Sequence, residues 1–149
     1  LARAHDVLTS GSWEEADLRT VIDTALLPYS PDRFRIEGPA MSVGAHAVTA
    51  LTLAFHELAT NAAKYGALSR DGGLVSIHWQ ASRDLGRFKL RWSEEGGPEV
   101  VIPTRRGFGS KLIERLLASE LKGEVRLEFA PSGLICEVDA SLRAEASGR

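Results

Sequence analysis

Between Gly44 and Gly66 the chain carries Val48, Leu51, Phe55, Leu58 and Ala62 at three- and four-residue intervals, the spacing of a continuous stripe along one side of an α-helix. A stripe of that length predicts a long helix that opens near Gly44, stops at Gly66 and buries one face against the rest of the molecule. Residues three, four and seven apart share a helix face, so Glu57, Asn61, Lys64 and Tyr65 project together on a flank of the stripe. That flank holds a carboxylate, an amide, an ammonium and an aromatic ring. Such a set suits activation of a nucleophile, coordination of a hard metal ion through oxygen, neutralisation of a phosphate and cover for a base. The alternative is an ordinary solvated helix face. His56 lies about 100° around the helix from Glu57, off the flank, and suits a structural hydrogen-bonding histidine better than a catalytic one.

The 149 residues suffice for one domain that buries roughly two-thirds of the surface its unfolded chain exposes. With a formal net charge of -2 and no basic run, the sequence lacks the electrostatic footprint of a nucleic-acid binder. Cys136 is the one cysteine, which excludes an internal disulfide and a cysteine-based metal cluster and suits a buried strand position. No apolar run approaches a membrane span and the first residues lack the layout of a signal peptide. The expectation is a cytoplasmic chain without membrane contact.

Leu1 to Leu8 reads as the last turns of a helix that began earlier. Ser12 with Glu15 three residues on has the form of a capping box, and Leu18, Val21, Ile22 and Ala25 then give an apolar face up to Leu26, before Pro28. Phe34 to Glu37 and Ala40 to Val43 are predicted as short edge strands. After the central helix, Val75, Ile77 and Trp79 alternate with polar residues, as do Phe88, Leu90 and Trp92, which predicts an antiparallel hairpin joined at Asp84-Leu85-Gly86. Pro98 to Arg106 carries no period and reads as a loop. Leu112, Ile113, Leu116 and Leu117 form a third helical face that ends near Gly123. Val125 to Phe129 and Leu134 to Ala140 close the chain as a second strand pair. Trp13, Trp79 and Trp92 are expected in the core, while His46 and His78 lack partners at metal-ligand spacing. Three helices and strands in hairpins predict an α/β two-layer sandwich, with helices on one face of a mixed, mainly antiparallel sheet.

The glycines cluster at predicted element ends. Gly107-Phe108-Gly109-Ser110 opens a helix, where unpaired N–H groups and the positive end of the dipole favour an anion by about 0.3–1 kcal/mol. Arg105 and Arg106 just before it add charge suited to phosphate; a tight turn is the other reading. Glu94 ends a strand beside Glu95, Gly96 and Gly97, so a carboxylate able to accept from an exocyclic amine stands next to backbone that a flat ligand can approach. A solvated acidic turn is the alternative there.

Taken together, these segments resemble a known superfamily. His56-Glu57-Leu58-Ala59-Thr60-Asn61-Ala62-Ala63-Lys64-Tyr65 is similar to the N box of the GHKL ATPases and histidine kinases, Trp92-Ser93-Glu94-Glu95-Gly96-Gly97-Pro98 to the G1 box, and Gly107-Phe108-Gly109 to the G2 box. A histidine in the N box with Trp-x-Glu in the G1 box, met by His56, Trp92 and Glu94, marks the HWE subfamily of bacterial sensor histidine kinases. The resemblance runs from Ser12 to Leu142. It implies a Bergerat-type ATP-binding fold and roles by position. Asn61 would hold Mg²⁺, Lys64 would contact phosphate, Tyr65 would border the adenine, and Glu94 would meet the adenine amine. Glu57 would be the general base or polarising carboxylate, with Gly96, Gly97, Arg105, Arg106, Gly107, Phe108, Gly109 and Ser110 completing the ATP site.

By the same resemblance, residues 12–142 are the catalytic domain, 1–11 end an upstream dimerisation helix and linker, and 143–149 form a frayed tail. The γ-phosphoryl of Mg-ATP would pass to a histidine of an upstream dimerisation domain and then to a response regulator, in a protein that is a homodimer at full length. The nine residues from Pro98 to Arg106 make a short lid. His5 does not match the phosphoacceptor motif, so this chain is expected to bind ATP without phosphorylating itself efficiently. A nucleotide-binding or degenerate scaffold domain that docks regulators without phosphoryl transfer is the alternative function.

Overall fold

The computed structural model describes residues 15–82, 87–98, 108–121 and 123–141. The readings made for Leu1 to Leu8, Ser12, Trp13, Asp84 to Gly86, Arg105 to Gly107 and the tail from Arg143 lie outside these residues.

The chain runs β1 (Glu15–Asp17), α1 (Leu18–Ala25), β2 (Phe34–Glu37), β3 (Ser42–Gly44), α2 (Ala45–Tyr65), β4 (Leu74–Ser82), β5 (Arg87–Glu95), α3 (Phe108–Leu121), β6 (Glu124–Ala130) and β7 (Gly133–Ser141). The main sheet has the order β2-β4-β5-β7-β6. β2 pairs parallel to β4, from Phe34 opposite Val75 to Glu37 opposite His78, whereas the β4–β5, β5–β7 and β6–β7 pairs are antiparallel. The expected two-layer sandwich is therefore present, with α1 and α3 both packed on α2.

Alternation in the strands sends Val75, Ile77, Trp79, Phe88, Leu90, Trp92, Cys136, Val138 and Ala140 inward, where they meet Leu51, Phe55, Leu58 and Ala62 of α2 in one buried cluster. Trp92, fully buried, lies 6.2 Å from Phe55 and 6.4 Å edge-on from Phe34, centroid to centroid. Aromatic neighbours in such geometry add about 0.5–1.5 kcal/mol per pair beyond the area they bury. The opposite face of the sheet carries charge. Glu37, His78, Arg91, Glu137 and Arg126 fall in one row across all five strands, joined by His78 to Glu37 at 3.5 Å, Arg91 to Glu137 at 3.8 Å and Arg126 to Glu137 at 2.6 Å. A depression of about 640 Å³ lies there, against His78, Lys89, Arg91, Glu137 and Asp139.

Two expectations change. The capping box does not start α1: Glu15–Asp17 instead pairs with Ser42–Gly44 as a separate two-stranded ribbon, and the Leu18 N–H donates to the Met41 carbonyl at 2.9 Å. With Glu15 in extended backbone, the cap passes to Asp17, whose Oδ2 accepts from the Thr20 N–H at 3.3 Å. For the same reason β3 is not an edge of the main sheet. α2 matches its predicted ends, with Gly44 and Gly66 as its flanking residues.

Candidate functional site

The long helix presents the predicted flank. Glu57 and Asn61 are half-buried, and Lys64 and Tyr65 follow on the last turn, exposed, Tyr65 to 73%. The Gly66 N–H closes the helix on the Ala62 carbonyl at 3.0 Å. His56 is exposed on the outer side of α2 rather than embedded as a structural histidine; the hydrogen bond found there is made by its backbone carbonyl, which accepts from Thr60 Oγ1 at 2.8 Å.

Beyond Gly66 the chain makes a short 3₁₀ turn, Ala67–Ser69, before the loop into β4. This turn meets the end of β5. Glu94 is 6% exposed, on the inner face with Trp92, so it is neither a solvated turn residue nor outside the strand. Its Oε2 accepts from Trp92 Nε1 at 2.9 Å and its Oε1 from the Ala67 N–H at 3.1 Å. Burial is the main influence on this carboxyl and raises its pKa above the ordinary glutamate value; the Trp92 and Ala67 hydrogen bonds oppose that rise. Among the described residues, no buried side-chain polar atom lacks a partner.

Small residues make the meeting possible. A Cβ at Gly66 would stand 2.2 Å from Glu94 Oε1, and one at Gly97 would stand 2.8 Å from the Ala67 backbone. Gly96, at φ 80°, packs against Gly72 and Gly73. The end of α2 and the Glu94–Gly97 segment thus form one assembly around a buried carboxylate. Phe108, Gly109 and Ser110 fall in the first turn of α3, as the sequence predicted. Arg105, Arg106 and Gly107 are outside the described residues.

Sequence reasoning missed Arg33. It stands at the end of a 3₁₀ turn, Pro31–Arg33, and donates from Nε to the Gly73 carbonyl at 2.9 Å and from Nη2 to the carbonyls of Ala67 at 3.2 Å and Arg70 at 2.5 Å. Backbone acceptors have no residue-type signature, so spacing could not reveal these contacts. The inward position of Glu94 did have a signal: it shares the parity of Phe88, Leu90 and Trp92.

Asn61 and Glu57, one helical turn apart, are the half-buried oxygen donors of the flank. Mg²⁺ is commonly held by one or two protein oxygens together with substrate phosphates, so these residues fit it. No cluster of three or more histidine, cysteine or acidic side chains suited to a metal occurs among the described residues.

Comparison with known proteins agrees with this architecture. The family model described as HWE histidine kinase matches residues 1–40. A blue-light-activated histidine kinase of Brucella ovis is 44% identical over 150 aligned positions, covering 97% of this chain and 31% of that protein. The histidine kinase domain of the Erythrobacter litoralis EL346 blue-light activated histidine kinase superposes with a TM-score of 0.66 at 16% identity, over 87% of this chain and 61% of that one. Histidine kinase ThkA, solved in complex with response regulator protein TrrA, superposes with a TM-score of 0.66 at 15% identity, over 97% of this chain and 48% of that one. This chain spans under a third of the length of the Brucella relative. In sequence the chain is similar to histidine kinases, with the HWE match over residues 1–40, and it has the fold of the histidine kinase catalytic domain.

Proposed function

We propose that this chain binds Mg-ATP and supplies its γ-phosphoryl to a histidine in a dimerisation domain of a homodimeric cytoplasmic sensor kinase, from which it passes to a response regulator. One observation carries the reading: a carboxylate fixed by Trp92 and Ala67 stands where the end of α2 meets a glycine-lined segment. Each oxygen accepts one protein hydrogen bond and retains capacity for another. The free capacity of Glu94 suits the exocyclic amine of adenine, and Gly96 and Gly97 let the base come close.

The other roles follow along α2. Asn61 holds Mg²⁺ with its amide oxygen, Lys64 neutralises phosphate, Tyr65 borders the adenine, and Glu57 polarises the attacking group. Arg105, Arg106 and Gly107, together with Phe108, Gly109 and Ser110 in the first turn of α3, take the remaining phosphate charge. When bound, Mg²⁺ supplies charge neutralisation at the phosphates. Phosphoryl transfer asks the protein chiefly for positioning and electrostatic stabilisation. In this reading residues 12–142 are the catalytic domain, 1–11 lead in from the dimerisation helix, and 143–149 trail it. The two-component partnership is supported by the similarity to histidine kinases and by the ThkA complex.

The test is calorimetric titration of a non-hydrolysable ATP analogue into the chain, with and without Mg²⁺, beside Asn61→Ala. Mg²⁺-dependent binding that weakens at least about tenfold in the variant, the loss of one good ligand interaction, is expected. Folded protein that ignores millimolar nucleotide would overturn the reading in favour of a regulator-docking scaffold.

A further inference from the structure

We propose that Arg33 is a positioning residue for base recognition, acting on Glu94 through the backbone of Ala67. The inference rests on the reading of Glu94 as acceptor for the adenine amine.

Ala67 is the shared element. Its N–H donates to Glu94 Oε1 at 3.1 Å and its carbonyl accepts from Arg33 Nη2 at 3.2 Å. The two groups belong to successive peptide units, so Arg33 does not polarise the amide that Glu94 receives; it fixes where residue 67 sits. The loop is drawn in tightly. A Cβ at Gly73 would lie 1.8 Å from the Ala67 oxygen, and the Gly73 N–H donates back to the Arg70 carbonyl at 3.3 Å. Three carbonyls thereby converge on one side chain. Ala67 itself is 1% exposed, and a buried carbonyl needs a donor.

A guanidinium meets this demand because its donors are spread over a rigid plane, so that Nε reaches Gly73 while Nη2 reaches Ala67 and Arg70. A lysine ammonium is a single point and cannot occupy both places. Without the fork, Ala67 gains freedom along the direction that sets its distance to Oε1. The Glu94 carboxylate then keeps only Trp92 as a fixed donor. Its orientation toward the base becomes less defined, although it remains buried beside Trp92.

The consequence is selective. Adenine presents an amine donor to Glu94, whereas hypoxanthine presents an oxygen at the same place and would face a carboxylate. Discrimination between the two bases reports the orientation of Glu94, while phosphate and Mg²⁺ contacts are common to both nucleotides.

The experiment measures the affinities of the 149-residue chain for non-hydrolysable ATP and ITP analogues by calorimetry, in wild type, Arg33→Lys and Arg33→Ala, at a temperature where circular dichroism shows each folded. Wild type should prefer the adenine nucleotide by about a hundredfold or more. Arg33→Lys should lower that preference several-fold and Arg33→Ala about tenfold, as expected for loss of one hydrogen-bond constraint. A purely structural role would lower the melting temperature and leave the ratio unchanged. An unchanged ratio in either folded variant therefore overturns the proposal. If Arg33→Ala does not fold, Arg33→Lys decides alone. Wild-type binding without base preference would instead show that Glu94 does not read the base, which overturns the premise and the proposal together.

Discussion

The indole of Trp92 donates to the carboxylate of Glu94 at 2.9 Å, between side chains two residues apart on the inner face of β5. Period-two alternation places them side by side, and the indole supplies the donor that a buried carboxylate requires. Trp92→Phe keeps most of the aromatic contact with Phe34 and Phe55 but removes this donor. It should cost about 1–3 kcal/mol and push the Glu94 pKa further up, since the lost bond was one of the two lowering it. Urea unfolding and a carboxyl titration by NMR measure both; an unchanged titration would show the bond to be incidental.

Glu94 links stability to pH with a definite sign. Because burial raises its folded pKa, the native state holds this proton more tightly than the unfolded chain does. Its contribution to stability is full below the unfolded value and is lost as pH rises through the raised folded value. Compared with Glu94→Gln, wild type should therefore lose relative stability as pH rises across that window. A gap that widens in wild type's favour would contradict the direction of the shift. Under the proposed function nucleotide binding should follow the opposite course, since the ionised carboxylate would be the amine acceptor: affinity for the ATP analogue weakens as pH falls through the same window.

Gly66 and Gly72 separate two reasons for a glycine. Gly66→Ala would drive a methyl to within 2.2 Å of Glu94 Oε1, displacing the carboxylate at a cost of about 1–3 kcal/mol and weakening the ATP analogue. Gly72 has φ 86° and open space where a Cβ would stand, so Gly72→Ala should cost about 1–2 kcal/mol through backbone strain and leave nucleotide affinity within twofold of wild type. Parallel melts and titrations distinguish the two.

Asp17, rather than the capping box read from Ser12 and Glu15, holds the start of α1. Asp17→Ala should destabilise the chain by about 0.5–2 kcal/mol, measured by urea unfolding, without changing nucleotide affinity.

Cys136 is 1% exposed, and burial pushes its thiol up to about 12. Because the thiolate is the reactive form, iodoacetamide at pH 8 should label the folded chain negligibly and the urea-unfolded chain readily. Rapid labelling of the native state, read by mass spectrometry, would contradict this burial.

Patterns that repeat along one element were legible. The stripe from Val48 to Ala62 and its bounding glycines gave α2 to within a residue, because helical periodicity and termination are local properties. The four longer strands were equally visible through alternation. The β1–β3 ribbon was not: three residues pairing across a gap of more than twenty leave no period to read, and that tertiary contact overrode the Ser12 signal. At the site, residue type singled out Glu94 and Asn61 as candidates for chemistry. The burial of Glu94 was implicit in the parity of β5, whereas Arg33 acts on carbonyl oxygens that every residue possesses, so its partners become apparent only once the chain is folded.

The direction of β2 gives Arg33 its reach. Since Phe34 lies opposite Val75 and Glu37 opposite His78, Arg33, the residue before β2, arrives level with Leu74 at the start of β4, next to Gly73 and the loop it closes. Run the other way over the same four positions, the strand would bring Phe34 opposite His78, about 10 Å along the ladder at about 3.3 Å per residue, and the guanidinium would lie over the far end of β4. In a sheet whose other described pairings are antiparallel, this one reversal of direction decides which end of the molecule receives a positive charge.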